Sequence, residues 1–236
     1  MTRFLVVTAD DFGLCDGVNE GIRRAHLDGI VTATSLMVRR RAAAAAARIA
    51  DKLPDLAVGL HLDLGEWTYS AGKWHAAGIT VDAADECAVR EEVDRQIGAF
   101  VRMVGRLPTH IDGHQHVHRE PVVSTVVLEM AARIGAWVRD AQVPHIGGFH
   151  GQTGRGEPHA EWITPSALRT LLSDLGGGWH EVGCHPGIGV SPDDSSYATE
   201  RGIELITLCD PTVRAAVDDL GFALRRPGRS ETALRG

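Results

Sequence analysis

The stretch that decides the fold is "RFLVVTADDFGLCDGVNEGIRRAHLDGIVTATSLMV", residues 3–38. "RFLVV" (3–7) reads as a buried strand, being short, apolar and β-branched. From Asp16, read as an N-cap, to about Leu27, the residues Val18, Ile22 and Ala25 fall on one helical face, and Gly29 stands past its end. "VTATSLMV" (31–38) is again strand-like. Strand, helix, strand in so short a span makes a βαβ unit, and its two strands run parallel.

The alternation continues outward from this unit. The alanine-rich 41–53 reads as a helix, "LAVGL" (56–60) as a strand, and 64–83 as a loop excursion of mixed character. Val89, Val93, Ile97, Phe100, Val101 and Val104 lie at helical spacing within 85–104. "THI" (109–111) is a short strand, followed by a helix with Pro121 in its first turn. "AWVR" (136–139) is a strand and the glycine- and histidine-rich 144–162 a loop. Thr164–Pro165 opens a helix, "WHEVGC" (179–184) is a strand, and Asp210–Pro211 opens a last helix before the closing "GFAL" (221–224). About seven strand candidates, each spaced by a helix, predict an α/β fold: a complete or slightly incomplete (β/α) barrel in one domain over 1–224. Residues 225–236 lack apolar periodicity and read as a flexible tail.

Composition narrows the function. A net charge of −7 with no Lys/Arg-rich run argues against nucleic acid or an anionic membrane surface as partner. No segment approaches the ~18 consecutive apolar residues of a membrane span, and the apolar run at the start is shorter than the ~7–15 residues of a signal peptide. The 4 cysteines are scattered without a C-x-x-C pair, as reduced thiols in a cytoplasm would be. A cytoplasmic enzyme or binding protein is expected.

Chemistry collects at the strand ends. Asp10 and Asp11 follow the first strand, His61 and Asp63 the third, and Asp112 and His114 the "THI" strand. Arg139 and Asp140 close "AWVR", and His185 follows "EVGC". In a parallel β/α fold these ends share the face where active sites assemble. Each piece has an ordinary reading: "DDFG" as a turn, His61 as a core histidine, and "HQHVH" (114–118) as a polar turn whose histidines lie on one face if extended. Together an acid, a histidine and a histidine cluster on three strand ends supply one oxygen and two imidazoles with an open position, as catalytic zinc sites do. Asp10 and Asp11 cannot both enter a site from regular strand, so the strand is expected to end by Ala9. Cys184 beside His185 is read as buried structure, because strand neighbours point apart.

The segments "TADDFGLCDGVNEGI", "GIVTATSLMV", "VGLHLDL", "PTHIDGHQHVH" and "EVGCHPG", in this order over roughly residues 4–224, resemble the YdjC/ChbG-like (ChbG/HpnK) carbohydrate deacetylases. The resemblance implies a distorted, NodB-deacetylase-like β/α barrel, one divalent metal, and removal of an acetyl group from an N-acetylated sugar. It places the metal ligands on Asp11, His61 and His114 and, by analogy with NodB-type deacetylases, the catalytic base on Asp10. His185 is then the expected general acid, and Arg139 or Asp140 the residue that orients Asp10. His116 and His118 are expected to orient ligands or touch substrate, and Trp67, with Tyr69 and Trp74, to stack on sugar rings. Two imidazoles and a carboxylate suit zinc first, with cobalt, nickel or iron also fitting and magnesium less so. The expected substrate is a chitooligosaccharide, a sugar-lipid or a related glycoside, and a homodimer through the outer helices is one further expectation. Two rivals stand beside this reading. A phosphoesterase or cyclic-amide hydrolase on the same barrel would need a bridging carboxylate, Asp63 or Asp112, in its two-metal form. A sugar-binding protein without turnover would keep the barrel alone.

Overall fold

Strand β1 (Arg3–Phe12) is the centre of the fold, and three other strands pair with it. The computed structural model describes residues 2–77 and 80–228. Helix α1 (Asp16–Leu27) follows, then β2 (Ala33–Leu36), α2 (Ala43–Ala50) and β3 (Ala57–Leu62). An antiparallel hairpin, β4 (Glu66–Ser70) and β5 (Lys73–Ala77), precedes the long α3 (Glu86–Val104). Then come β6 (His110–Gly113), a 3-10 turn over His114–Arg119, α4 (Pro121–Ile134), β7 (Trp137–Val138) and β8 (His145–Ile146). Helix α5 (Pro165–Ser173), β9 (Gly178–Cys184), α6 (Ala198–Leu208), α7 (Pro211–Asp219) and β10 (Phe222–Leu224) follow among the described residues.

The strands lie in the order β7-β6-β3-β2-β1-β9-β8, every neighbour parallel. In chain order this is a ring of seven open at one seam, between β7 and β8, where a single parallel bridge joins Arg139 to Val143. The expected incomplete barrel is therefore present, but one of its strands is not the one the sequence suggested. "GFAL" forms β10, which runs beside Arg3–Leu5 of β1 outside the ring. The seventh ring strand is β8, two residues inside the stretch read as a loop; so short a strand carries no periodicity to detect.

Other expectations shift for local reasons. Residues 66–77 form a hairpin rather than a loop, because Thr68, Tyr69 and Trp74 favour extended pairing and Ala71–Gly72, both at positive φ, make the tight turn. Cys15, not Asp16, is the N-cap of α1, and its side chain caps nothing; Asp16 sits in the first turn, where the helix dipole favours a carboxylate. The caps at Asp85, Thr164 and Asp210 each accept a backbone N–H. Helix α6 had no counterpart in the sequence reading. Of the expected tail, residues 225–228 are described, with Arg225 N donating to Leu5 O; residues 229–236 lie outside the described residues.

The helices bury the predicted faces. Val18, Ile22 and Ala25 of α1 are fully buried, as are Val89, Val93 and Phe100 of α3, whereas Val101 of α3 is 36% exposed. Each large aliphatic so buried contributes about 1.5–3 kcal/mol before entropy costs. Helix α1 approaches the chain after β9 closely, and a Cβ at Gly21 would stand 2.4 Å from Gly187 Cα. The alanines of α2 are consumed internally, with Ala43, Ala46 and Ala50 buried in the core. All four cysteines are free; Cys184 is fully buried and burial pushes its thiol well above the usual range.

Candidate active site

Adjacent residues of a strand point to opposite faces, yet Asp10 and Asp11 both lie buried at the ring mouth. The cause is a bulge, not an early strand end. Ala9 pairs with Thr34 but Phe12 pairs with Leu36, so β1 spends one residue more than β2 over the same length. Asp11 takes φ 67°, the left-handed region, which breaks the alternation and turns its carboxylate inward. The turn that follows is held by Leu14 N to Asp11 O (3.0 Å) and Gly13 N to Asn19 Oδ1 (2.7 Å). Gly13 itself has φ 95°, and a Cβ there would stand 3.0 Å from Ala43 Cα. Strand β1 thus continues to Phe12, correcting the expectation that it stops by Ala9.

Three ligand atoms converge at this mouth. Asp11 Oδ1 is 3.3 Å from His61 Nε2 and 3.3 Å from His114 Nδ1, and all three atoms lie within 4.8 Å of one another. Across a tetrahedral site with metal–ligand bonds near 2.0–2.1 Å, donor atoms stand about 3.3–3.4 Å apart. Asp11 Oδ1 is buried without a hydrogen-bond partner, an orphan acceptor that a cation would satisfy. The donor set and the spacing fit one divalent ion. The other Asp11 oxygen, Oδ2, accepts from Arg201 Nη2 at 2.5 Å.

The imidazoles are held from behind. In the parallel register His61 lies beside Asp112, so both side chains share a face, and His61 Nδ1 sits 2.7 Å from Asp112 Oδ1. Ser35 Oγ lies 3.1 Å from the same nitrogen and donates to Asp10 Oδ1 at 3.3 Å. His114 opens the 3-10 turn, where Gln115 and His116 have φ 51° and 58°. Its Nε2 meets Glu66 of the hairpin at 3.1 Å. Burial alone would lower both imidazoles, but Asp112, Asp11 and Asp10 carry His61 up to about 10, and Asp11 and Glu66 carry His114 up to about 9.

Asp10 is anchored by a buried fork. Arg139 Nη1 and Nη2 donate to its two oxygens at 2.7 and 2.8 Å. The same guanidinium reaches Asp112 Oδ2 at 2.8 Å and Glu181 Oε1 at 3.0 Å. Burial would raise the Asp10 carboxyl, but Arg139, together with His61 and His185, holds it well below the usual carboxylate range. Asp140, the alternative partner, is instead bound to Arg119 Nε at 2.8 Å, away from Asp10.

His185 follows β9 and places Nε2 3.9 Å from Asp10 Oδ2. Its backbone N–H donates to Glu204 Oε2 at 2.5 Å, and burial lowers its imidazole to about 3. Glu204 also accepts from the Tyr197 hydroxyl at 2.5 Å, while burial raises its carboxyl to about 7. His116 and His118 do not join the ligand convergence. The 3-10 turn replaces the extended run that would have aligned them with His114, and they form a separate edge-on cluster with His145. Trp67 lies on the hairpin, its backbone N and O both bonded to the Gln115 side chain. Pleating puts Trp67, Tyr69 and Trp74 on one hairpin face, with the Arg155 guanidinium over the Tyr69 ring.

Several site residues escaped the sequence reading: Ser35, Glu66, Glu181, Arg201 and Glu204. The available signal was on "ATERGIELITL" (198–208), where Arg201 and Glu204 share a helical face with Leu205 and Leu208, so charges on an apolar stripe marked a buried polar site.

The ring of parallel strands thus carries the Asp11–His61–His114 convergence at its C-terminal mouth, and comparison with known proteins gives the family. The chain belongs to the YdjC-like family, whose model ("YdjC-like protein") matches residues 4–219. It is 33% identical to a carbohydrate deacetylase of Geobacillus stearothermophilus, covering 95% of this chain and 96% of that one. It is 34% identical to a chitooligosaccharide deacetylase of Klebsiella pneumoniae, over 95% and 98%. Its class is that of the carbohydrate deacetylases, hydrolases of an amide bond. Among solved structures it is similar to a putative cellobiose-phosphate cleavage protein of Enterococcus faecalis (TM-score 0.80, 25% identity, 96% of this chain and 98% of that one). The fold is shared with a family 4 carbohydrate esterase of Streptomyces lividans (TM-score 0.53, 12% identity, 95% and 92%).

Proposed function

We propose that this enzyme removes the N-acetyl group from an amino sugar of a chitooligosaccharide, sugar-lipid or related glycoside, using one divalent metal, zinc by preference. The observation that carries this reading is the convergence of Asp11 Oδ1, His61 Nε2 and His114 Nδ1 around an unpartnered buried oxygen, with Asp10 ionised beside it. Asp11, His61 and His114 would hold the ion, and a divalent ion bound there supplies Lewis acidity toward the amide oxygen and toward water. Asp10 acts as general base. Its fork to Arg139 fixes the carboxylate, keeps it ionised and leaves lone pairs for the proton of the attacking water. His185 serves the departing amine. Burial keeps its ring neutral at rest, so the proton it delivers is received during turnover, and Asp10 Oδ2, 3.9 Å away, is a group that gains one.

Of the carboxylates suggested as the bridge of the two-metal rival, Asp63 Oδ2 is paired with Arg40 at 3.0 Å, and Asp112, grouped with Asp10 and His61, is paired with Arg139 at 2.8 Å. The exposed Trp67 and Trp74, beside the half-buried Tyr69 on the hairpin that also carries Glu66, support ring stacking by a sugar. No helix among the described residues is long and apolar enough to cross a membrane. The four free cysteines support a cytoplasmic setting.

The test is acetate release from N-acetylglucosamine, its disaccharide and a glycolipid mimic, with chelated protein resupplied separately with zinc, cobalt, nickel or magnesium. Metal-dependent acetate is expected from at least one substrate, and Asp11→Asn, which tolerates the left-handed backbone, should abolish it. Acetate release that survives complete metal removal would overturn the metal reading. A protein that binds zinc but releases no acetate from any of the three would overturn the substrate reading.

A further inference from the structure

The two proposed imidazole ligands present opposite nitrogens to Asp11, Nε2 from His61 and Nδ1 from His114. A neutral imidazole has one N–H and one lone pair, so each ring binds a metal only in the tautomer that leaves the inward nitrogen bare. For His61 the outward nitrogen faces Asp112, a neighbour in the sheet register. For His114 the outward nitrogen faces Glu66, with Oε1 at 3.2 Å and Oε2 at 3.1 Å from Nε2.

We propose that Glu66 is a positioning residue that holds His114 in the Nε2–H tautomer, and that the hairpin thereby sets the metal affinity of a site otherwise built from strand ends. The inference rests on the metal reading of Asp11, His61 and His114. Glu66 is aimed as well as near: Arg40 Nη2 holds its Oε2 at 2.9 Å and Gln115 Nε2 its Oε1 at 3.2 Å. Arg40 is fixed in turn by Asp63 at 3.0 Å, and Gln115 by both backbone groups of Trp67. An incidental surface ion pair between Arg40 and Glu66 would not require both carboxylate oxygens to lie within 3.2 Å of one imidazole nitrogen. Carboxylates behind a ligating histidine fix its ring and raise its basicity, and their loss weakens metal binding roughly 10–100-fold.

The experiment measures zinc affinity by competition with a chromophoric chelator for the wild type, Glu66→Ala, Glu66→Gln and the hairpin control Thr68→Ala. Long-range 1H–15N spectra of the zinc-loaded proteins report the tautomer of each histidine. The proposal expects Nε2–H on His114 in the zinc-loaded wild type and expects Glu66→Ala to weaken zinc roughly 10–100-fold. Glu66→Gln, whose amide oxygen still accepts that proton, should stay within about threefold of wild type, as should Thr68→Ala. Circular dichroism checks that each variant is folded, and Glu66→Gln keeps the test open if Glu66→Ala is not. Equal zinc affinity in wild type and Glu66→Ala overturns the inference and leaves the metal site standing. Equal losses in the alanine and glutamine variants overturn the tautomer role. A wild type that binds no zinc removes the metal reading and this inference with it.

Discussion

Replacing Arg139 by methionine removes one buried cation from three buried carboxylates. Arg139 lies within 3.0 Å of Asp10, Asp112 and Glu181, and is itself only 4% exposed. Methionine fills much of the volume, so the change is mainly electrostatic. Breaking a buried pair by removing one partner costs about 3–5 kcal/mol, because the stranded charge keeps its desolvation penalty. Relief is available only by protonation, which fixes the pH dependence. In the wild type the Asp10 carboxyl is held low, so its contribution is present above the ordinary carboxylate range and lost as pH falls through the folded value. In the variant Asp10 and Asp112 titrate upward, so they bind protons more readily in the folded state, and the deficit shrinks as pH falls. Urea unfolding should show the full loss at pH 8 and a smaller one at pH 5. At neutral pH the melting point should drop by roughly 6–20 °C for a chain of this size. The acid limb of kcat/KM should move to higher pH as Asp10 loses its cation. A variant with the wild-type urea midpoint at pH 8 and an unchanged acid limb would refute the assignment of Arg139 as the electrostatic centre of the site.

Other consequences follow from single residues. Gly21→Ala should destabilise by roughly 1–3 kcal/mol, although alanine favours helix by about 1 kcal/mol, because the new Cβ meets Gly187 backbone at 2.4 Å; a stabilised variant in urea unfolding would show that α1 does not dock there. Glu204, raised to about 7, contributes stability that is complete below about pH 4.5 and lost as pH rises through 7. The unfolding free energy of Glu204→Gln relative to wild type should therefore gain about 3 kcal/mol between pH 4.5 and 8, and a pH-independent difference would contradict this. Trp67→Ala should raise KM for a disaccharide several-fold with kcat little changed, as uniform binding loss does; a matching fall in kcat instead would place Trp67 in the chemical step.

Much of the architecture was legible before any coordinates. Apolar runs separated by helical faces required parallel strands, and parallel strands required their ends to share one face, so Asp11, His61, His114 and His185 were grouped from sequence alone. The caps at Thr164 and Asp210 were legible because capping is local chemistry between residues at most three apart. What failed had no local signal. A two-residue strand such as β8 has no period to detect, and β10 reads like any edge strand although it sits outside the ring. The 114–118 histidines share a face only if the run is extended, and two left-handed residues fold it into a turn that separates His114 from His116 and His118. Arg201 and Glu204 lie nearly 200 residues after Asp11, on a helix that only packing brings to the mouth.

The sequence by itself determined the class of fold, the face on which the chemistry gathers and the residue types gathered there, because periodicity and strand direction depend on near neighbours. Tertiary structure alone decided how those residues are aimed. The bulge and the φ of 67° at Asp11 bring two consecutive carboxylates into one site. Strand register sets Asp112 behind His61, and the hairpin sets Glu66 behind His114. Those relations depend on how far one strand has slid past another and on where a loop folds back, and both are fixed by the packing of the whole core rather than by any short run of residues.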